Sequence, residues 1–266
     1  MFNTRLCALI FTVFTTTIFA ASTQHVDVTH WWVSPGEQAS IRVIERRMNE
    51  QGIVWNTDAF AGSGTARYMD SVRLRVNAGR PPMASQVIGF DIQAWASQGK
   101  LTNLDHIAEQ EDWDEIVPFA IQDLSKYQGH WIAVPINAHV TNRLWLNQAQ
   151  LDRLGLGTPD TWTDLINMLE KAQSAGIIPL AIGREAWEQT LLFESVAVGA
   201  GGAEFYRQVF LDLNPAALDD AVLTLIFQRM SQLRGYMDAG MSTRTWEQAT
   251  DLVRNGKALM QAQGSW

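Results

Sequence analysis

Apolar and polar positions follow two rhythms along this chain. His25 to Trp32 alternates and is rich in Val, Thr and Trp, which predicts a strand. Ser34-Pro35-Gly36-Glu37 then has the form of a helix start, with Ser34 as cap, Pro35 in the first turn and Glu37 closing a capping box. Ile41, Ile44 and Met48 follow at helical spacing up to Gly52. A strand is expected at 54–60, a loop at 61–65, and a helix marked by Met69, Val72 and Val76. After Pro81-Pro82 the pattern predicts a short strand over Gln86 to Phe90, a short helix over Ile92 to Ser97, and mixed helix and loop over 101–128. Apolar strands are expected at Trp131 to Ile136 and Asn142 to Leu146. Thr161-Trp162-Thr163-Asp164 is a second capping box, opening a helix with Leu165, Leu169 and Ala172 on one face. Ile177 to Ile182 reads as a buried strand, and Ala258 to Gln263 as a final one. Between them the chain from Trp187 to Gly256 is largely helical, broken near Gly199–Gly202 and Asp212–Pro215. Strands alternating with helices imply an α/β protein with mostly parallel sheets. The shift to a helix-rich second half implies two lobes, 22–135 and 136–266, with the chain crossing near Pro135.

The first residues belong to neither rhythm. Residues 1–21 carry one charge, Arg5, then an apolar run from Leu6 to Ala20 and the small residues Ala20, Ala21 and Ser22. That is the layout of a secretory signal peptide. The run is shorter than the ~20 residues of a spanning helix and is interrupted by Thr. Its removal would also take Cys7, the only cysteine, leaving a thiol-free chain suited to the periplasm.

Composition narrows the classes of function. The 266 residues are 47% hydrophobic and 18% charged, which fits a chain with a real core. The formal net charge of -8 and the lack of a basic cluster argue against nucleic acid and anionic membrane surfaces. The five His show no metal-ligand spacing, and neither GxSxG nor a cysteine nucleophile is present, so no catalytic or metal residue is assigned and no cofactor is expected. Gly62-Ser63-Gly64-Thr65 lacks the spacing and the Lys of a phosphate loop and reads as a plain turn.

The informative constellation is His30-Trp31-Trp32 with Glu37. Tandem Trp at a strand end places flat faces at the carboxyl edge of a sheet, where open α/β sheets bind ligands. A pyranose offers apolar C–H faces to a Trp and hydroxyls to carboxylates or amides. Adjacent strand residues point to opposite faces, so one of the two Trp can be core, and Glu37 can be a capping residue only. Eleven Trp in all suit a sugar cleft better than a nucleotide cleft.

Further groups of residues carry a resemblance. They are Asn77-Ala78-Gly79-x-Pro81-Pro82 with Gln86, Gln93-x-Trp95-Ala96, Pro135-x-Asn137-x-His139 with Asn142, Phe193-Glu194-Ser195 with Gly199-x-Gly201-Gly202, and Gly256-Lys257-Ala258-x-Met260-x-x-x-Gly264-x-Trp266. With His30-Trp31-Trp32-x-x-x-Gly36-Glu37, their order and spacing resemble the bacterial extracellular sugar-binding proteins of ABC importers, the solute-binding protein family 1, in its glucose/mannose-binding branch. The resemblance implies a two-lobed α/β periplasmic binding protein-like fold of type II, with a monosaccharide bound between the lobes, no chemistry performed, and delivery by a monomer to the permease subunits of an ABC importer. It implies that Trp31 and Trp32 pack on the sugar, that Glu37 and Gln86 bond its hydroxyls, and that Trp187 and the Gly264–Ser265–Trp266 turn face it from the second lobe, with His139 a further contact. Two positions depart from the glucose-binding relatives: Ile88 stands where they carry Lys or another polar residue, and Ser265 where they carry Asp. Losing a charged hydrogen-bond partner costs about 1.5–3 kcal/mol, so the sugar differs or the affinity is low. Family members continue well past the position of Trp266, so the resemblance also implies a shortened chain whose missing part would complete the first lobe. The alternatives are a secreted carbohydrate hydrolase working in the same cleft and a truncated, non-binding remnant.

Overall fold

The computed structural model describes residues 24–61 and 66–266. The expected signal peptide and the Gly62–Thr65 loop lie outside the described residues. Among those described, no helix is long and apolar enough to cross a membrane.

The first sheet is parallel, in the order β2-β1-β3. Strand β1 (Gln24–His30) pairs along its length with β2 (Ile53–Ala59), from Gln24 opposite Ile53 to His30 opposite Ala59. Its burial deepens toward the carboxyl end, where Val28, Thr29 and His30 are buried. Helix α1 (Pro35–Glu50) links β1 to β2 and starts where the sequence places it. Ser34 Oγ accepts from the Glu37 N–H while Glu37 reaches back to the Ser34 N–H at 2.9 Å. Yet no residue of α1 is buried; Ile41, Ile44 and Met48 are only half-covered. Helix α2 (Ala66–Asn77) supplies the core, with Tyr68, Met69 and Val72 packing on Trp31 and Trp95.

Strand β3 is shorter and earlier than the pattern predicts. It is Ala84–Ser85, opposite Val28 and Thr29, and the expected Gln86 to Phe90 strand does not form. Gln86 N still donates to Thr29 O at 2.8 Å, but Gly89 then adopts φ 55° and turns the chain directly into α3 (Phe90–Ser97). Short helices α4 (Asp105–Gln110), α5 (Trp113–Ile116) and α6 (Phe119–Ser125) follow. A two-residue hairpin, β4 (Lys126–Tyr127) with β5 (His130–Trp131), ends this region. Trp131 is tied down on both sides, its N–H donating to Asp105 at 2.8 Å and its indole to Asp114 at 2.9 Å. The strand expected from Trp131 to Ile136 stops at Trp131. Residues 132–142 carry neither helix nor strand, and Val134 and Ile136 are exposed. Their apolar pattern is that of a buried strand, but no described neighbour offers them a ladder.

The second sheet has the order β6-β8-β7. It is mixed rather than parallel: β6 (Arg143–Leu146) runs antiparallel to β8 (Ala258–Gln263), and β7 (Ile178–Leu180) runs parallel to it. Every residue of β8 is buried. One face is covered by α8 (Trp162–Ser174), α9 (Ala186–Tyr206) and α10 (Asp220–Arg234), which share a core with α7 (Gln148–Leu154). The other is covered by α11 (Trp246–Arg254), through Ala249 and Val253 on Ala181 and Ala258. Thr161 and Asp164 form the capping box of α8. The predicted break near Gly202 is a kink with φ 81° inside α9, followed by a five-residue π turn, Arg207–Leu211.

Candidate functional site

The first half of the site forms where β1 and β3 end. Trp31 and Trp32 lie just past β1, and their fates differ. Trp31 is 7% exposed and packs edge-on against Tyr68, with ring centroids 5.1 Å apart, so it belongs to the core. Trp32 is half-buried at the rim of that core. Gln86 joins the two strand ends: its Oε1 accepts from Trp31 N at 3.1 Å, leaving its amide NH2 for other partners. Tyr68, which the sequence did not single out, fixes the same place. Its hydroxyl, fully buried, contacts Thr29 O at 2.9 Å, Ser85 Oγ at 3.0 Å and Gln86 O at 2.8 Å. His30, 2% exposed, accepts from Trp32 N at its Nδ1, and burial lowers its pKa against the opposing charge of Asp58.

Glu37 serves two purposes. Oε2 accepts from Val33 N at 3.2 Å and from Ser34 N at 2.9 Å, completing the start of α1. The second oxygen takes no part in these bonds, and the Glu37 charge reaches His139. Removal of water from one face of the His139 ring lowers its pKa, and Glu37 opposes that shift.

The second half gathers on His139. Its Nδ1 lies 3.4 Å from Ser265 Oγ, and Ser265 also accepts from Val140 N at 3.2 Å and donates its own N–H to Val140 O at 2.9 Å. Ser265 thus fastens two stretches of chain 126 residues apart. The Trp266 ring stands edge-on to His139 at 5.4 Å and to Trp187 at 5.7 Å, and Trp187 meets Trp246 at 6.5 Å. Gly264 is required beneath this wall, because a Cβ there would overlap the Trp266 ring. Gly264 O accepts from Trp145 Nε1 at 3.0 Å. Two buried donors here have no described partner: Trp187 Nε1 and Gln263 Nε2. Ile88, by contrast, is exposed at 59% and makes no polar contribution.

The structure therefore brings His139, Trp187, Gly264, Ser265 and Trp266 together, and places Trp32 and Gln86 at the ends of β1 and β3. Trp31 is withdrawn into the core. Trp246, Gln263 and Glu188 join the second half without having been predicted. The all-apolar-or-amide run of β8 was the one signal for Gln263; Trp246 and Glu188 carried none, since their burial depends on packing between α9 and α11. Among the described residues no group of three or more His, Cys, Asp or Glu could hold a metal ion.

This architecture is that of an α/β periplasmic binding protein, and the comparisons agree. Residues 44–266 match the bacterial extracellular solute-binding protein family, and the chain belongs to that family. It is 43% identical over 93% of its length to a probable sugar-binding periplasmic protein of Rhizobium meliloti, of which it covers 59%. It is 25% identical over 90% of its length to the glucose-binding protein GlcS of Saccharolobus solfataricus, covering 45% of that protein. Among solved structures it matches the bacterial solute receptor AcbH, described as exclusive for β-D-galactopyranose, with TM-score 0.75, 22% identity, 92% of this chain and 61% of that one. The chain thus spans about 60% or less of the length of these relatives. The family is one of solute binding, not of catalysis.

Proposed function

We propose that this chain captures a monosaccharide between its two lobes as the periplasmic binding subunit of an ABC sugar importer and hands it to the membrane permease. The observation that carries this reading is the aromatic wall of Trp266 and Trp187 on His139, whose ring feels the charge of the Glu37 carboxylate. Flat aromatic faces opposite a hydrogen-bonding rim are what a pyranose requires. Trp32, Glu37 and Gln86 contact the sugar from the first lobe, and His139, Trp187, Gly264, Ser265 and Trp266 from the second. Trp31 acts indirectly, as the core residue whose N–H holds the Gln86 side chain in place. Closure of the lobes on the ligand shifts the population toward the closed form. The names of the Rhizobium meliloti and Saccharolobus solfataricus relatives support a sugar as the solute.

Ile88 and Ser265 set the choice of sugar. Ile88 adds apolar surface where a charge would bond a hydroxyl, and the Ser265 hydroxyl is engaged with Val140 and His139. The ligand is therefore a sugar recognised with fewer charged bonds than glucose receives in its dedicated receptors. A hydrolase would need two opposed carboxylates open to the ligand; of the two gathered here, Glu37 and Glu188, the second is buried with both oxygens taken by backbone N–H groups.

Intrinsic Trp fluorescence, titrated with glucose, mannose, galactose and xylose, tests the proposal. A saturable change with one sugar, abolished by Trp266→Ala, is the expected result. Silence across the panel, or a response unchanged in Trp266→Ala, overturns the site.

A further inference from the structure

Glu188 follows Trp187 in the first turn of α9 and is 1% exposed. A capping-box carboxylate ordinarily works from the surface. This one is buried next to Trp187 and has no ion-pair partner among the described residues. Arg184 pairs with Glu185 at 3.2 Å, and Arg244 pairs with Asp238. The charges that act on Glu188 are two more carboxylates, Glu185 on its own segment and Glu247 on α11. What holds it is backbone: Oε2 accepts from Gly183 N at 2.7 Å and Oε1 from Glu185 N at 3.3 Å. Gly183 leaves room for it, since a Cβ there would overlap the carboxylate. Gly183–Glu185 is the connection from β7 into α9, and Arg184 N ties it to Arg244 O at 3.0 Å. Trp187 leaves this fastened segment to meet Trp266.

We propose that Glu188 is a positioning residue: its buried carboxylate fastens the Gly183–Glu185 segment and so sets the Trp187 indole against Trp266 in the ligand-facing wall. The proposal rests on the sugar-binding reading and deepens it. An ionised carboxylate accepts from both N–H groups; once protonated, one oxygen becomes a donor and one N–H loses its acceptor. Burial pushes the Glu188 carboxyl up to about 7, against the pull of the two backbone N–H groups, so the two states exchange near neutral pH. A ligand that needs Trp187 seated binds the ionised form better, and affinity rises as pH rises through that range. His139, on the far side of Trp266, is shifted downward by burial, away from the Glu188 midpoint.

The test reads the sugar-free chain first. The Trp187 indole N–H, buried and without a described partner, is assigned by NMR with Trp187→Phe and followed from about pH 5.5 to 8.5. It should shift with a midpoint near 7 and stay flat in Glu188→Gln, whose amide cannot accept from both N–H groups. A resonance that is flat in the native chain, or that titrates unchanged in Glu188→Gln, overturns the role. Gly183→Ala, which pushes a methyl into the carboxylate, should move the same resonance, and its failure to do so also overturns the role; this arm and the native titration decide the matter if Glu188→Gln does not fold. The second arm titrates glucose, mannose, galactose and xylose at low and high pH. Affinity should be about fivefold higher above the midpoint in the native chain and equal in Glu188→Gln. Silence toward every sugar at both pH values would sink the binding reading, while the sugar-free titration still decides the role of Glu188.

Discussion

The two three-stranded sheets of this protein, one parallel and one mixed, are buried to different depths. Around the second, sixteen buried residues form one cluster, and β8 is buried from end to end. Around the first, the corresponding cluster has five, β1 is buried only over its last three residues, and α1 buries nothing completely. The capping boxes of α1 and α8 are equally complete. Local helix signals are therefore alike in the two halves, and what separates them is the supply of packed apolar surface. Helical stability in proteins comes mostly from such packing rather than from propensity or caps. The first half consequently holds its candidate site residues by polar stitches, Tyr68 and Gln86, where the second holds its own by a core.

Unfolding experiments can break this contrast. The largest effect is expected from Leu259→Ala at the centre of β8, which should cost about 2–5 kcal/mol, while Ile44→Ala on α1 should cost under about 1 kcal/mol. Urea unfolding followed by Trp fluorescence measures both, and equal losses would refute the difference in depth. Next comes pH. The folded Glu188 holds its proton above the ordinary 4.5, up to about 7, so folding favours the protonated form. Its contribution is complete below about 4.5 and is lost as pH rises through about 7, a decline on the order of 3 kcal/mol. Melting of the second half should follow this slope, and Glu188→Gln should flatten it. A smaller effect is expected from Tyr68→Phe. It strips the hydroxyl from Thr29 O, Ser85 Oγ and Gln86 O, at about 1–3 kcal/mol, and should loosen β3 in hydrogen exchange without touching β8. The smallest comes from the caps: Ser34→Ala and Thr161→Ala should each cost about 1 kcal/mol, alike in both halves. A much larger loss at one of them would show that caps, not burial, distinguish the halves.

Much of the fold was legible because its signals are short. Ser34 and Glu37 lie three residues apart, as do Thr161 and Asp164, so a box of backbone bonds could be read directly from the chain. The alternation of β1 and the apolar run of β8 predicted strands within a residue or two. Where a strand needed a neighbour, the same kind of run misled: Ile132 to Ile136 has the composition of a buried strand and remains outside any ladder. The Gln86 to Phe90 run failed for a local reason, the left-handed turn at Gly89.

Residue types and spacing by themselves determined the helix starts, most strands, the alternation that makes an α/β fold, and the His30-Trp31-Trp32 and Glu37 constellation; the remaining candidate site residues came from the resemblance. Tertiary structure alone decided their roles. It sent Trp31 into the core beside Tyr68 and left its neighbour Trp32 at the rim; it joined His139 to Ser265 across 126 residues and Trp31 to Gln86 across 55; and it buried the Glu188 carboxylate on the backbone N–H groups of Gly183 and Glu185. The physical reason is range. A cap or a period is a bond between near neighbours, whereas burial and the resulting pKa depend on which distant surfaces meet, and no short stretch of chain carries that information.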